Sequence, residues 1–283
     1  MKVSYYPGCS LEATARDYQE SLSFVCSELE IELAEIPDWS CCGASAAHST
    51  DEFLSLALPS RNLALAEQIG LDLVVPCPLC FNRLKTTSYE ILKEKVEGLP
   101  YTFTGKIKIW DLLDYLAQPE RLSQIEERIK KPLNGLSVVC YYGCKANRPP
   151  KITEAVQPEN PQNMDSLLKI LGASVKDWSY KTDCCGATHT VARPDIIQTM
   201  VQRLYERALE AGAEAIVVSC QMCQATLDMP QKKISEIFQK KYDLPIYYFT
   251  ELIGVAWNRP EAATWLSRHL VDPKALLQRK GLI

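Results

Sequence analysis

The cysteines of this sequence form one pattern that occurs twice. Each copy has a lone cysteine shortly after a Tyr-Tyr sequence, then two adjacent cysteines followed by Gly-Ala, and then a Cys-x-x-Cys. The interval between the adjacent pair and the Cys-x-x-Cys is the same in both copies. The first set consists of Cys9, Cys41, Cys42, Cys77 and Cys80, and the second of Cys144, Cys184, Cys185, Cys220 and Cys223.

Five thiolates in one set indicate an iron–sulfur cluster of uncommon type. Soft thiolate ligands select zinc, Cu(I) or iron–sulfur clusters. A structural zinc ion takes four ligands, and a cubane cluster takes one thiolate per iron, which is also four. Side chains of adjacent residues in extended backbone point to opposite sides, so both cysteines reach one metal group only across a sharp turn, which Gly43 and Gly186 permit. We therefore predict a cluster in which one iron takes two thiolates or one thiolate bridges two irons.

Composition places these cysteines in a globular protein of the reducing cytoplasm. The chain has 283 residues, 47% of them hydrophobic and 23% charged, which suits one large domain or two of ordinary size. A net charge of −4 gives no reason to expect nucleic-acid binding. We expect no signal peptide and no transmembrane segment. In that compartment cysteines are metal ligands or catalytic groups more often than disulfides; a secreted disulfide protein is the alternative.

The elements that position the cysteines alternate between strand and helix. Predicted strands at 3–6, 71–75, 136–142 and 214–219 end just before Cys9, Cys77, Cys144 and Cys220. Alternation of this kind predicts an α/β fold with parallel sheets, in which ligands bind at the carboxyl ends of strands. We predict a duplicated pair of Rossmann-like domains, 1–131 and 132–283, related by pseudo-two-fold symmetry. Each would carry its iron–sulfur cluster at one edge, with a charged helix in 117–134 as the linker.

The two cysteine sets resemble the CCG domains of the B-subunit family of heterodisulfide reductases, and the resemblance covers essentially the whole chain. In that family each five-cysteine set binds a non-cubane [4Fe–4S] cluster, and the two clusters face each other at the domain junction. The resemblance thus implies that all ten cysteines are cluster ligands. It also implies cleavage of a disulfide between the clusters, each sulfur being captured by iron, with no catalytic side chain.

The same resemblance implies partners. The chain has neither a Cys-x-x-Cys-x-x-Cys ferredoxin sequence nor a Gly-rich dinucleotide motif, so its electrons must come from elsewhere. In the family the donor is a ferredoxin-like C-subunit with cubane [4Fe–4S] clusters, supplied by a flavin-containing A-subunit. The implied activity is a disulfide reductase acting on the coenzyme M–coenzyme B heterodisulfide of methanogenesis or a related small disulfide.

Several other residues near the cysteines admit two interpretations. Lys145 and Arg148 follow Cys144 and could bind an anionic thiol substrate, or they could be solvated surface residues. His48 and His189 follow the Cys-Cys-Gly sequences, where an imidazole N–H could donate to a cluster sulfur; a role confined to the loop is the alternative.

Two cysteines lie outside the repeated pattern, Cys26 and Cys140, and both are interpreted as buried core thiols. Cys140 competes with Cys144 for the fifth position of the second set. Cys144 is preferred because it follows the Tyr-Tyr sequence as Cys9 does.

Two other functions compete with disulfide reduction. CCG domains also occur in systems that resemble lactate, glycolate, glycerol-3-phosphate or succinate dehydrogenases, where they exchange electrons with a quinone or thiol pool. The chain would then be an electron-transfer or membrane-docking subunit. The plainer alternative is a zinc-stabilised scaffold.

Overall fold

The computed structural model of the chain, which describes residues 1–44, 47–94, 96 and 98–283, contains two four-stranded parallel sheets. The elements of the first half are β1 (Lys2–Tyr5), α1 (Cys9–Ala13), α2 (Arg16–Glu28), β2 (Glu32–Glu35), α3 (Ala47–Thr50), α4 (Glu52–Ile69), β3 (Leu73–Val75), α5 (Pro78–Tyr89), a π-helical turn (Glu90–Glu94), β4 (Ile109–Asp111), α6 (Leu112–Leu116) and α7 (Pro119–Glu127).

The second half follows the same order of strands. Its elements are β5 (Ser137–Tyr141), α8 (Pro150–Thr153), α9 (Asn163–Ile170), β6 (Ser174–Val175), a 3-10 turn (Ala187–His189), α10 (Pro194–Glu210), β7 (Ala215–Val218), α11 (Gln221–Asp228), α12 (Gln231–Phe238), β8 (Ile246–Tyr248), α13 (Phe249–Ala256), α14 (Ala262–Leu266) and α15 (Lys274–Arg279). The sheets are ordered β2-β1-β3-β4 and β6-β5-β7-β8, so each begins with its second strand and continues through its first, third and fourth. This confirms the predicted α/β fold with a duplicated parallel sheet.

The central strands of each sheet carry the cysteines to one edge. β1 is parallel to β2 and β3, with Ser4 opposite Leu73, and β5 is parallel to β6 and β7, with Val138 opposite Ala215. The central strands β3 and β7 are buried throughout, as expected for strands covered on both faces. Cys9, Cys77, Cys144 and Cys220 all follow the carboxyl ends of these neighbouring strands within a few residues.

Local signals in the sequence account for the helices that bound the site. The side chain of Asp51 accepts a hydrogen bond from Leu54 N at 2.8 Å and so caps α4, which ends at the left-handed Gly70. α5 begins immediately after β3 because Cys77 caps it and Pro78 occupies its first position, where a missing N–H costs nothing. The sequence predicts the cap and the end of α4, whereas it places the start of the next helix near Phe81, three residues later than observed.

The apolar patterns of the sequence predict one helix over 11–29, one helix after Cys223 and a strand over 173–178, and the structure differs at each. The helix expected over 11–29 is two helices, since the backbone of Ala15 leaves the helical region (φ −111°, ψ 50°). The helix expected after Cys223 is also two, because Pro230 cannot continue α11. The strand expected over 173–178 has only the two residues of β6, which pair with Ser137 and Val138.

One helix of the first half packs against helices of the second half. α2 packs against α13 and α14. The hydroxyls of Ser21 and Thr250 lie 2.7 Å apart, and the rings of Phe24 and Trp265 lie 5.4 Å apart. Buried residues of β1, α2, β5 and β7 therefore belong to one continuous apolar core that spans both halves.

A buried ionic group lies within this contact. His269 follows α14, and its Nε2 lies 2.8 Å from Glu251 Oε1 and 3.6 Å from Asp17 Oδ2. Burial alone would lower the pKa of His269, but the ion pair with Glu251 and the carboxylates of Asp17 and Asp228 raise it to about 9. The protonated imidazole thus neutralises carboxylates that come from both halves.

The raised pKa of His269 makes stability depend on pH. An unfolded histidine has a pKa of about 6.5. A folded pKa raised to about 9 contributes stability that is complete below pH ~6.5 and is lost as the pH rises toward 9. We expect metal-free, thiol-reduced protein to lose on the order of 3 kcal/mol of unfolding free energy across this window. Urea unfolding at pH 6.5 and pH 9 measures the loss.

His269→Gln is the matched control for that measurement. It removes the titrating ring while the cysteines continue to titrate, so the difference between the two proteins isolates His269. An identical pH dependence in both proteins would contradict the assignment.

Candidate metal centres

The structure brings the cysteines of each set together at the carboxyl edge of its own sheet. In the first set, Cys42 Sγ lies 3.2 Å from Cys80 Sγ, and Cys80 also hydrogen-bonds Cys77. In the second set, Cys223 makes the same two contacts, with Cys185 and Cys220.

The remaining cysteines lie toward the surface. Cys41 hydrogen-bonds Cys42 in the first set, and Cys144 hydrogen-bonds Cys184 in the second. Cys9, Cys41 and Cys184 are exposed, and Cys144 is half-buried. Each site therefore has a buried side formed by its Cys-x-x-Cys and an open side that faces solvent.

Both adjacent pairs turn at a glycine, as the sequence predicts. Gly43 and Gly186 have φ values of 71° and 81°, in the left-handed region that favours glycine. Their amides donate to the first cysteine of each pair, with Gly43 N 3.4 Å from Cys41 Sγ and Gly186 N 3.3 Å from Cys184 Sγ. The turn thus directs both sulfurs of a pair to one site.

A second pair of glycines leaves room for sulfur. A Cβ at Gly8 would lie 3.0 Å from Cys80 Sγ, and one at Gly143 would lie 2.9 Å from Cys223 Sγ. Both glycines have positive φ and each directly precedes the lone cysteine of its set. No other residue leaves this space beside the buried cysteine, so the backbone approaches both sites closely in the same way.

Each hydrogen bond between two sulfurs favours the thiolate form of one partner and raises the pKa of the other. The cysteines with a raised pKa are Cys41 and Cys80 in the first site and Cys144 and Cys223 in the second. Hydrogen bonds with Cys41 and Cys80 lower the pKa of Cys42 to about 3. A hydrogen bond with Cys144 lowers the pKa of Cys184 to about 6. The pKa values of Cys77 and Cys185 are also lowered, by hydrogen bonds with Cys80 and Cys223 respectively. Deprotonated sulfur is the form that binds metal.

An iron–sulfur group fits these residues. The donors are all soft sulfur, which is the chemistry such clusters take. Space beside the buried sulfurs is kept open by glycine in both halves. Each set also offers one thiolate more than a closed zinc site uses.

The two sites lie against each other across the junction of the halves. Tyr18, a fully buried residue of α2, has its hydroxyl 3.1 Å from Ser219 O and 3.4 Å from Pro76 O. These carbonyls directly precede Cys220 and Cys77. The ring of Tyr18 stacks on Tyr248 with centroids 4.3 Å apart and planes 3° from parallel. One tyrosine therefore holds both Cys-x-x-Cys loops.

Further contacts cross from one half to the cysteines or loops of the other. Gln221 follows Cys220 but donates its side-chain N–H to Cys77 Sγ of the first set, at 2.8 Å. The side-chain amide of Asn82 on α5 donates to the carbonyls of Lys145 and Arg148, at 3.0 and 2.9 Å. The loop that follows Cys144 is thus attached to the first half.

A small cavity lies beside the second site and has walls from both halves. Its volume is about 110 Å³. Pro78 and Leu79 of the first half and Met222 of the second form its apolar wall, and Cys144, Cys184 and Cys220 also line it. Lys145 contributes a charged group to the lining.

The predicted basic residues have different surroundings. Lys145 is exposed and borders the cavity. Arg148 ion-pairs Glu159 and donates to Thr182 Oγ1 at 3.0 Å. Arg83, on α5, donates to Ser55 O at 2.9 Å and lies in the electrostatic field of Cys42. Of the two predicted substrate-binding residues, Lys145 is therefore the one placed beside the cysteines.

The histidines and lone cysteines complete the set of candidates. His189 is exposed at the end of the 3-10 turn and helps to lower the pKa of Cys184. The side chain of His48 lies outside the described part of the chain. Cys26 and Cys140 are buried in the continuous core, as predicted, and Cys140 faces Asp165.

Three residues near the sites were missed by sequence reasoning. Tyr18, Gln221 and His269 all act across the junction of the halves, and their roles depend on how the halves meet. Only Gln221 had a usable signal, since it replaces the Pro78 of the first Cys-x-x-Cys with a side chain that can donate.

Comparisons with known proteins agree with the repeated pattern. The "membrane anchor subunit" of 8-methylmenaquinol:fumarate reductase from Wolinella succinogenes is 30% identical over 97% of this chain and 99% of that protein. The B-subunit of ferredoxin:CoB-CoM heterodisulfide reductase from Methanosarcina mazei is 27% identical over 90% of this chain and 89% of that protein. Among the described residues, no helix has both the length and the apolar character needed to cross a bilayer.

Solved structures support the fold alone. A hypothetical protein from Helicobacter pylori superposes with a TM-score of 0.70 at 11% identity, over 96% of this chain and 52% of that one.

The family model described as "CCG: Cysteine-rich domain" matches residues 3–85 and 138–228, one region in each half. The chain therefore belongs to the cysteine-rich CCG domain family.

Proposed function

We propose that this chain is the iron–sulfur component of an oxidoreductase complex that reduces a small disulfide to two thiols between its two cysteine sites. Each set of five cysteines would hold one non-cubane [4Fe–4S] cluster. The relatives named as heterodisulfide reductase subunits belong to complexes of several subunits, which supports the same organisation here. The two halves, 1–131 and 132–283, would be related by pseudo-two-fold symmetry, and a cytoplasmic location stays a prediction.

The observation that carries the proposal is the contact between the two sites. Tyr18 holds the residues before Cys77 and Cys220, and Gln221 reaches from one Cys-x-x-Cys to the other. Pro78 and Leu79 of the first half line the cavity beside the second site. A disulfide has two sulfur atoms about 2 Å apart, and on this proposal the bond would lie at the junction with one sulfur toward each site.

The reaction balances with two electrons and two protons. One disulfide, two electrons and two protons give two thiols. Bound clusters would supply one electron each, so that no free thiyl radical leaves the site. The chain itself would hold the cysteine ligands at the junction, and the apolar wall of Leu79 and Met222 would keep water from the bond that breaks.

Lys145 supplies the charge for substrate binding. It is exposed at the mouth of the cavity beside Cys144 and Cys184. An ammonium group there would bind a sulfonate, phosphate or carboxylate on a thiol by charge-assisted hydrogen bonds. Arg148 would act on the same substrate only after release from Glu159.

Electrons must enter from a partner. The open side of each site, with Cys9 and Cys41 in the first and Cys184 in the second, gives a donor access to the metal group. A ferredoxin-like C-subunit with cubane [4Fe–4S] clusters, supplied by a flavin-containing A-subunit, is the donor that the sequence resemblance implies.

A second function is favoured by one relative. The Wolinella succinogenes protein is named as part of a quinol:fumarate reductase, and it matches nearly the full length of both chains. On this alternative, the same two sites would pass electrons between a quinol and a partner dehydrogenase, and no disulfide would bind.

Iron content and single substitutions test the cofactor. We expect about eight irons per chain, from two four-iron clusters. Cys9→Ala and Cys144→Ala should each remove about half of the iron, because each breaks one ligand set. Cys26→Ala and Cys140→Ala are matched controls that should keep all of it, and iron analysis with EPR distinguishes the cases. Zinc in place of iron would contradict the proposal.

The glycines beside the buried sulfurs give a second test. Gly143→Ala should remove the second cluster and leave the first, because its Cβ would lie 2.9 Å from Cys223 Sγ. Gly135→Ala is the control, since Gly135 also has positive φ (83°) but meets nothing within 4 Å. Both substitutions strain the backbone by about 1–2 kcal/mol, so only the loss of space differs. Equal iron loss in both variants would show that strain alone is responsible.

Turnover with alternative substrates tests the function. Iron-loaded protein with its donor should reduce an anionic disulfide to thiols and show a change in the EPR signal when the disulfide binds. Lys145→Gln should raise KM for that disulfide up to about fivefold, the range of an exposed ion pair, and should leave KM for a neutral disulfide unchanged.

The control for Lys145 is Lys151→Gln, which removes an exposed charge that follows the same cysteine but does not line the cavity. Reduction of a quinone in the absence of any response to disulfides would overturn disulfide reduction in favour of the second function.

A further inference from the structure

The two cysteine sites receive different numbers of N–H hydrogen bonds. Most of the contacts repeat: the glycine amide of each adjacent pair donates to the first cysteine of that pair in both halves. Among the N–H donors, the difference is confined to the first cysteine of each Cys-x-x-Cys, which is Cys77 in the first site and Cys220 in the second. The second site has in addition a hydrogen bond between Cys185 and the Thr226 hydroxyl.

Cys77 is a double acceptor. Its Sγ accepts the backbone N–H of Cys80 at 3.4 Å, which caps α5, and the side-chain N–H of Gln221 at 2.8 Å. Both Cys77 and Gln221 are only 3% exposed, so water does not compete for this bond. Because a thiolate can only accept, the amide nitrogen of Gln221 is the atom that faces the sulfur.

Cys220 has neither contact within the described part of the chain. Its side chain does not cap α11. The residue that corresponds to Gln221 in the other half is Pro78, which lines the cavity beside Cys220 but has no N–H and no polar side chain. The presence of glutamine at 221 and proline at 78 therefore gives Cys77 a side-chain hydrogen bond to which nothing at Cys220 corresponds in the described part of the chain.

Basic groups lie near both sites, Arg83 at Cys42 in the first and Lys145 and His189 at Cys184 in the second. Solvent exposure, like the hydrogen bonds, favours the more negative state of a cluster in the first site, since the lone cysteine is exposed there and only half-buried in the second site.

We infer that Gln221 is a positioning residue that raises the reduction potential of the first site above that of the second. Hydrogen bonds to the ligand sulfurs of an iron–sulfur cluster stabilise its more negative, reduced state. The inference rests on the proposed presence of a cluster in each site. Its consequence is that the first electron to reach the chain resides in the N-terminal site, while the C-terminal site, beside Lys145 and the cavity, stays oxidised until the second electron arrives.

An EPR-monitored redox titration of the iron-loaded chain tests this order. The two signals are assigned with Cys144→Ala, which leaves only the first cluster, and Cys9→Ala, which leaves only the second. We expect the first cluster to have the higher potential. In the Cys144→Ala background, Gln221→Leu should lower that potential by the equivalent of a tenfold change in its reduction equilibrium, about 59 mV for a one-electron couple.

A reciprocal variant and a control complete the experiment. Pro78→Gln places a donor beside Cys220 and should raise the potential of the second cluster, which reduces the gap between the sites. Gln224→Leu removes another buried glutamine of α11, one that contacts His269 rather than a cysteine, and should leave both potentials unchanged.

A second readout detects the bond itself. With ¹⁵N-labelled glutamine, pulsed EPR of the first cluster should show a nitrogen coupling that Gln221→Leu abolishes. An unchanged first-site potential in Gln221→Leu, or equal shifts at both sites, would overturn the inference while leaving the clusters in place. Absence of any iron signal in the unmodified chain would instead remove the proposed function, and the inference with it.

Discussion

The short distance between the two Cys-x-x-Cys loops is the constraint on which the rest of the structure depends. A parallel sheet delivers its cysteines to one edge, but two sheets can turn these edges away from each other. Here the hydroxyl of Tyr18 lies between the carbonyls before Cys77 and Cys220, in a buried position where a lost hydrogen bond leaves polar groups unpaired. Stacking of Tyr18 on Tyr248 fixes the ring that carries the hydroxyl. The separation of the sites is thus set by buried groups and not by surface loops.

The helices that pack between the two sheets also fix the distance between the two Cys-x-x-Cys loops. α2 carries Tyr18, and it packs against α13 and α14 of the second half, so the tyrosine cannot move without disturbing the continuous core. The charged group formed by Asp17, Glu251 and His269 belongs to that same contact, and the imidazole offsets its carboxylates only while it is protonated. Because all three side chains are buried, loss of the charge on the imidazole would leave the carboxylates uncompensated in the core. The helices that follow the last strand of the second sheet therefore have a structural role in joining the halves.

Much of this arrangement was accessible from the sequence, because the governing signals are local. Strand-to-cysteine spacing placed Cys9, Cys77, Cys144 and Cys220 at strand ends, and Asp51 and Gly70 marked the boundaries of α4. The direct partners of Tyr18, Gln221 and His269 were not accessible, since each acts on residues that lie on the other side of the junction and far away in the chain. Patterns of period 2 or 3.6 report which face of an element is apolar, and they carry no information on which half supplies the neighbour.

Duplication explains why the two cysteine sites are built alike. Divergence at one position explains why their sulfurs receive different hydrogen bonds. The residue that follows the first cysteine of each Cys-x-x-Cys occupies the equivalent position in the two halves. Proline at position 78 makes α5 begin rigidly and offers no hydrogen bond, whereas glutamine at position 221 begins α11 and donates to the opposite site. The bond that distinguishes the two sites therefore also joins them, because it leaves from the loop of one and ends on the ligand of the other. On the proposed function, in which each site receives one electron, that single bond would give the two reductions a defined order, and an exact copy of the first loop in the second half would lack it.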